Sequence, residues 1–210
     1  MWAWLAENSA SVQAATGIVT ALVWIVYLQI LVSGFRRERR SVILIHGAGN
    51  QNVDPRIFVS NLGAESIYIL EILMTVDTGS GGCEVAVTDR TEVARDRLSS
   101  PSNASLQGPL GSGEWVDIGS VDELLQRMRA HGIRDIRHDE IKQIRLTVAA
   151  TTAAKTGIVA ARMAFSVRPS GEHLLLLPRK LHATQIRSFF GRRRIARKLS
   201  RRLQEARENG

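Results

Sequence analysis

One cysteine, Cys83, stands in the 210 residues of this chain, so no disulfide can close within it, in keeping with a reducing compartment. A second absence is more informative: from Asn8 to Phe35 there is no Asp, Glu, Lys, Arg or His. Catalytic signatures are also missing. No serine has glycine at both the second preceding and the second following position, which removes a nucleophile elbow. No phosphate-cradling or dinucleotide glycine pattern occurs. His46, His131, His138, His173 and His182 are scattered, and none pairs with His or Cys at metal-ligand spacing. The nearest cluster, His138-Asp139-Glu140, would alternate faces if it lay on a strand and would not converge on one ion. No cofactor or metal is expected, and no catalytic residue is assigned.

The chargeless stretch is long enough to cross a bilayer, for which about 20 apolar residues suffice. Ten of the fifteen residues from Ile18 to Val32 are Ile, Leu or Val, each favouring insertion by about 0.3–0.6 kcal/mol at a helix centre. A transmembrane helix is therefore expected over residues 12–35. The eleven residues before it hold one acid and no base, whereas Arg36, Arg37, Arg39 and Arg40 follow it at once. The positive-inside rule then places residues 1–11 outside and the rest of the chain in the cytoplasm. A cleaved signal peptide would need a basic start and a small-residue cleavage site, and the flanks here are the opposite. Trp2 and Trp4 suit the outer interface. Ala10, Ala14, Gly17 and Ala21 put small residues on one helix face, where a second span can approach to form a homodimer, and Gln29 could hydrogen-bond across it.

Residues 36–40 form a basic juxtamembrane segment, and residues 41–178 are expected to form one domain. Seven stretches read as strands: Ser41 to Ile45, Arg56 to Ser60, Ile67 to Val76, Cys83 to Thr88, Ile141 to Ala149, Ile158 to Val167 and Glu172 to Leu177. Short strands without regular intervening helices predict a mainly β protein, with an antiparallel, immunoglobulin-like sandwich. Asn61 to Glu65 looks like a hairpin connection with Gly63 free for a positive φ. Ile67 to Ile72 is nearly all apolar, as in a strand covered on both faces by a neighbouring protomer or the C-terminal helix. Gly79 to Gly82 reads as a turn, and Ser99 to Gly113, rich in Ser, Gly, Pro and Asn, as a loop. One short helix is expected from Ser120, whose spacing to Glu123 has the form of a capping box, to Gly132.

The net charge of +8 is a property of the tail. Residues 179–210 carry eleven Lys or Arg against Glu205 and Glu208, so the other 178 residues sum to −1. Ile195, Leu199, Leu203 and Ala206 form one helical stripe surrounded by Arg192, Arg193, Arg194, Arg197, Lys198, Arg201 and Arg202. Ile186, Phe189 and Phe190 form a second stripe, with Gly191 as the expected break. Such a basic amphipathic helix fits anionic lipid on the cytoplasmic leaflet. A membrane tether for nucleic acid fits the charge too, although no reading motif accompanies it. The third reading is a helix that packs its narrow stripe on a partner.

Val42 to Gly49 resembles the strand and His-Gly turn that supplies an oxyanion-hole amide in α/β-hydrolases, which makes His46-Gly47-Ala48-Gly49 the centre of an alternative, a membrane-tethered hydrolase. A broader resemblance rests on Trp24-Ile25-Val26-Tyr27-Leu28-Gln29, Arg36-Arg37, Gly47-x-Gly49, Arg56, Val59-Ser60-Asn61 and Glu65-x-Ile67-Tyr68. Together these resemble a family of small single-span proteins of unknown function from alphaproteobacteria, over the span and the first third of the soluble part. Where an Arg often precedes the first Gly of that pattern, this chain has His46. The resemblance implies a bacterial inner-membrane anchor and no site. The expected function is a membrane-anchored cytoplasmic scaffold or sensing module, without enzymatic activity.

Overall fold

The computed structural model describes residues 8–38, 41–48, 55–79, 81–92, 104–133, 136–152, 155–170 and 173–208. The chain divides into two compact units, residues 1–40 and residues 41–210. Among the described residues the first consists of one helix, α1 (Ser9–Glu38). Its segment Ser9–Gly34 contains an 18-residue stretch of mean hydropathy 2.1 and is long and apolar enough to cross a membrane. At 1.5 Å per residue that segment is about 39 Å long, more than a hydrocarbon core of about 30 Å requires.

The second unit is mainly β. Its small sheet joins β1 (Ile43–Ala48), β2 (Arg56–Asn61) and β6 (Trp115–Ser120) in the order β1-β2-β6. Its large sheet runs β10-β8-β7-β3-β4, from β3 (Ile67–Asp77), β4 (Gly82–Ala86), β7 (Gln143–Thr152), β8 (Lys155–Ser170) and β10 (Thr184–Gln185). The short strand β5 (Gly108–Leu110) pairs with β3, and β9 (His173–Pro178) pairs with β8. Every pairing is antiparallel. All seven expected strands are present, with ends shifted by at most three residues. An immunoglobulin-like domain sets four strands against three; three against seven is a different division, and the pairings do not draw that topology.

Alternation explains the core. Ile43 and Ile45 on β1 and Ile57 and Val59 on β2 face the same apolar cluster as Ile72, Met74, Ile144, Leu146, Val148 and Phe165 of the large sheet. Side chains two apart share a face, so each sheet contributes one face to this interior. Two polar groups close its seams. Gln185 accepts from the Ile43 amide at 3.2 Å and donates back to the Ile43 carbonyl at 2.6 Å, bridging the large sheet to the edge of the small one. At another seam stands Arg127 of α2 (Val121–Ala130). It is 1% exposed and donates from Nη1 to the carbonyls of Val87 and Ile118 at 3.0 and 2.9 Å. Its Nε donates to Glu92 Oε2 at 2.8 Å, while Nη2 takes the other carboxylate oxygen.

The helix α2 starts as expected. The Ser120 side chain accepts from the Glu123 amide at 3.2 Å and the Glu123 carboxylate accepts from the Ser120 amide at 3.1 Å, a reciprocal cap. Its apolar face buries Val121, Leu124, Leu125 and Met128. His131 caps the other end, and Gly132 takes φ 73° just beyond.

Four expectations change. Asn61 to Glu65 is no hairpin, because β2 and β3 belong to different sheets. Gly63 is not among the glycines with positive φ; a Cβ there would sit 3.0 Å from Ser41 Cα, so close approach of two chain segments selects it. Part of the expected loop from Ser99 to Gly113 is β5, because Asn61 supplies the donors that hold it. The buried Asn61 amide donates to the carbonyls of Glu65, Leu110 and Gly111 at 2.9, 3.1 and 3.1 Å, and its Oδ1 accepts from Gly63 at 3.0 Å. Lastly, Gly191 does not break the tail. It lies inside the first turn of α3 (Phe189–Glu208), where its amide donates to the Ser188 hydroxyl and a Cβ would press on Ile186.

Candidate functional site

The helix α3 lies on the face of the large sheet that looks away from the main core. Ile195 and Leu199 are buried there with Ala149 and Ala160, and Leu70, Ile158 and Ile186 pack around them. The cover expected for the apolar run of β3 is thus the C-terminal helix. Burying two such side chains contributes at most about 3–6 kcal/mol. Two ion pairs reinforce the contact: Lys198 Nζ meets Glu84 at 2.6 Å, and Arg202 Nη1 meets Glu71 at 3.4 Å. Arg202 also donates to the Glu84 carbonyl at 3.3 Å. Burial pushes the Glu71 carboxyl above its ordinary value, against the charge and hydrogen bond of Arg202.

This docking divides the basic residues. Lys198 and Arg202 face the sheet, and Arg192 folds back on the Arg187 carbonyl at 2.7 Å. Arg193, Arg194, Arg197 and Arg201 are exposed, with no hydrogen-bond or ion-pair partner among the described residues. At 100° per residue these four occupy about 100° of arc on the side opposite Ile195 and Leu199. Phe190 falls inside that arc and is 82% exposed; Phe189, 67% exposed, meets it edge-on with ring centroids 5.8 Å apart. The apolar stripe from Ile195 to Leu199 is therefore not the outward surface of the tail, and Leu203, 64% exposed, is its one uncovered member among the described side chains.

In α1 the four small residues Ala10, Ala14, Gly17 and Ala21 fall on one stripe of a continuous helix, and nothing lies within 4 Å of a Cβ built at Gly17. Gln29 sits about a quarter turn away from that stripe. The hydroxyls of Thr16, Thr20 and Ser33 donate to the carbonyls of Val12, Thr16 and Ile30 at 2.8–2.9 Å, which satisfies them within the helix. Arg36 and Arg37 continue α1, while Arg39 and Arg40 lie outside the described residues.

Among the described residues the hydrolase alternative finds no constellation around His46. That residue sits on β1 opposite Phe58, and its ring stacks on Phe58 at 5.5 Å; Phe58 in turn meets Trp115 edge-on at 5.3 Å. The Nδ1 atom of His46 is buried without a hydrogen-bond partner, whereas a general base is held by one group and faces a nucleophile. Gly47 and Ala48 are strand residues, and Gly49 lies outside the described residues. His138-Asp139-Glu140 forms a 3-10 turn instead of a strand, with Asp139 bound by Arg137 at 2.6 Å. No group of His, Cys, Asp or Glu among the described residues has metal-binding geometry.

Sequence reasoning passed over Arg127 and Glu92, and it gave Asn61 no role as a buried donor. The one legible signal was a cation at position 127, on the same helical face as Leu124 and Met128. No family model, curated protein or solved structure matches this chain.

Proposed function

We propose that the protein is a membrane-anchored cytoplasmic scaffold or binding module. In this reading α1 crosses a bacterial inner membrane with its N-terminus outside, and the outward face of α3 meets anionic headgroups of that membrane. The carrying observation is the division of α3: its apolar stripe is used against the sheet, while Arg193, Arg194, Arg197 and Arg201 surround an exposed Phe190. Each basic side chain near an anionic surface is attracted by about 1 kcal/mol. An aromatic ring among them adds an apolar contact with the interface. The small-residue stripe of α1 supports pairing of two spans as a homodimer.

The test places benzoylphenylalanine at Phe190 in the full chain, reconstituted in nanodiscs. Irradiation should give a lipid adduct in phosphatidylglycerol discs, and replacing the four outward arginines by glutamine should remove it. An adduct that is absent, or unaffected by that change, refutes lipid contact. The substitutions are made in the full chain, because a truncation after Pro178 would remove β10 and uncover the apolar sheet face under α3. Orientation is tested separately: alkaline phosphatase fused after Gly210 should be inactive and a fluorescent protein there bright, and the reverse pair overturns the topology.

A further inference from the structure

The face of the large sheet beneath α3 continues beyond the helix into a polar floor. Thr75 pairs with Arg145, and Thr147 with Arg162. Alternation puts these side chains on the face that carries Ala149 and Ala160. A cavity of about 420 Å3 opens there, lined by Thr75, Asp77, Gln143, Arg145 and the glycines of the β3–β4 turn.

Cations gather around this cavity without enough acid to balance them. Arg145 is half-buried and has no hydrogen bond or ion pair among the described residues. Lys142 lies over the turn, so that a Cβ at Gly79 would collide with its Nζ. Arg179 donates to Gln143 Oε1 at 2.7 Å. Arg162, diagonal to Arg145 and within reach of a long side chain, makes one contact, from Nε to Thr147 Oγ1 at 3.4 Å. The carboxylate in the wall, Asp77, already accepts the Gly79 amide at 2.9 Å. Glu84, beside Thr75 at 3.4 Å, is taken by Lys198.

Like charges on one sheet face repel, and a half-buried guanidinium offers its planar fork to a bidentate acceptor. We propose that this cavity binds a phosphate group borne on a small organic body or a lipid headgroup, with Arg145 as its anchor and Lys142 at its rim. A tetrahedral phosphate matches the fork and neutralises the excess charge, and the remaining volume admits the esterified group. The site is distinct from the outward face of α3 and does not depend on lipid contact there.

The test uses the full chain in maltoside micelles, with phenylglyoxal modification of Arg145 followed by mass spectrometry. Inorganic phosphate is compared with chloride at equal ionic strength. Phosphate at about ten times its Kd leaves about one-tenth of sites free, so Arg145 should react about tenfold more slowly. Arg129, exposed on α2, should react at an unchanged rate. Equal rates at Arg145 in both salts, and in maltoside micelles with and without added phosphatidylglycerol, overturn the proposal. Protection by inorganic phosphate alone supports it with a soluble ligand; protection by phosphatidylglycerol supports it with a lipid headgroup. Arg145→Gln should abolish the phosphate-induced rise in Tm, and the variant with the four outward arginines of α3 replaced by glutamine should keep it. If instead that α3 variant loses the rise and Arg145→Gln keeps it, the cavity is not the site. Modification of the unaltered chain remains decisive even if Arg145→Gln does not fold.

Discussion

Replacing Arg127 by methionine should cost the domain about 3–5 kcal/mol, the usual effect of removing one partner from a buried ion pair. The structure accounts for that size. The guanidinium is 1% exposed and makes four hydrogen bonds, two to the Glu92 carboxylate and two to the carbonyls of Val87 and Ile118. Methionine fills much of the space but leaves two carbonyls without a donor, each costing about 1–3 kcal/mol. Glu92, whose side chain is 12% exposed, is left as a largely buried anion that can escape its cost by taking a proton. Domains are stable by about 5–15 kcal/mol, so the variant should unfold at much lower urea. Urea titration of the full chain in micelles, followed by near-ultraviolet circular dichroism, measures it. A loss below about 1 kcal/mol, the worth of an exposed ion pair, would refute the argument. The pH dependence gives a second check. Burial pushes the Glu92 carboxyl up, but hydrogen bonds from Arg127 and its own backbone amide, with the charges of Arg127 and Arg90, hold it below the ordinary value of 4.5. Stability from a depressed carboxyl is present above that ordinary value and disappears as the pH falls through the lower folded-state value. Arg127→Met should remove this acid-side loss.

Two further outcomes follow from buried polar groups. Asn61→Ala removes the donor shared by the carbonyls of Glu65, Leu110 and Gly111, and should lower stability by about 1–3 kcal/mol while raising hydrogen exchange in β5; exchange equal to that of the unaltered chain would refute the role assigned to Asn61. Arg202→Gln removes the group that opposes the upward shift of Glu71. A raised carboxyl contributes stability that is present below the unfolded-state value and lost as the pH rises through the folded-state value. The loss between acid and neutral pH should therefore be larger in Arg202→Gln, and a pH profile unchanged by the substitution would contradict it.

Much of the secondary structure was legible because its signals are local. The seven expected strands are β-branched runs with turn residues between them, and Ser120 with Glu123 announces α2 by a cap that needs only neighbouring residues. The strands β5, β6 and β10 were not legible. Gly108–Leu110 has little intrinsic strand character and pairs because Asn61 and the edge of β3 supply partners. Trp115–Ser120 is half polar, since its outer side carries Trp115 and Asp117, the latter bound by Arg56 at 2.6 Å. The tail was legible in part, since the C-terminal helix was one of two covers expected for β3. Its apolar stripe was visible, but a helical wheel carries no information about which surface that stripe meets, and here it is β7 and β8.

By itself the sequence determined the long apolar helix and the basic residues after it, the strand-rich character of the second unit and the basicity of its last helix, because length, composition and periodicity are properties of the chain. Only the tertiary structure decided that Ile195 and Leu199 are consumed by the sheet, so that four arginines and Phe190 remain outward. It alone also brought Arg145 and Lys142 beside Arg162 and Arg179, which lie far along the chain from them. The reason is physical: antiparallel pairing joins residues distant in sequence, and which side chains lie together depends on register, which a one-residue slip would reverse.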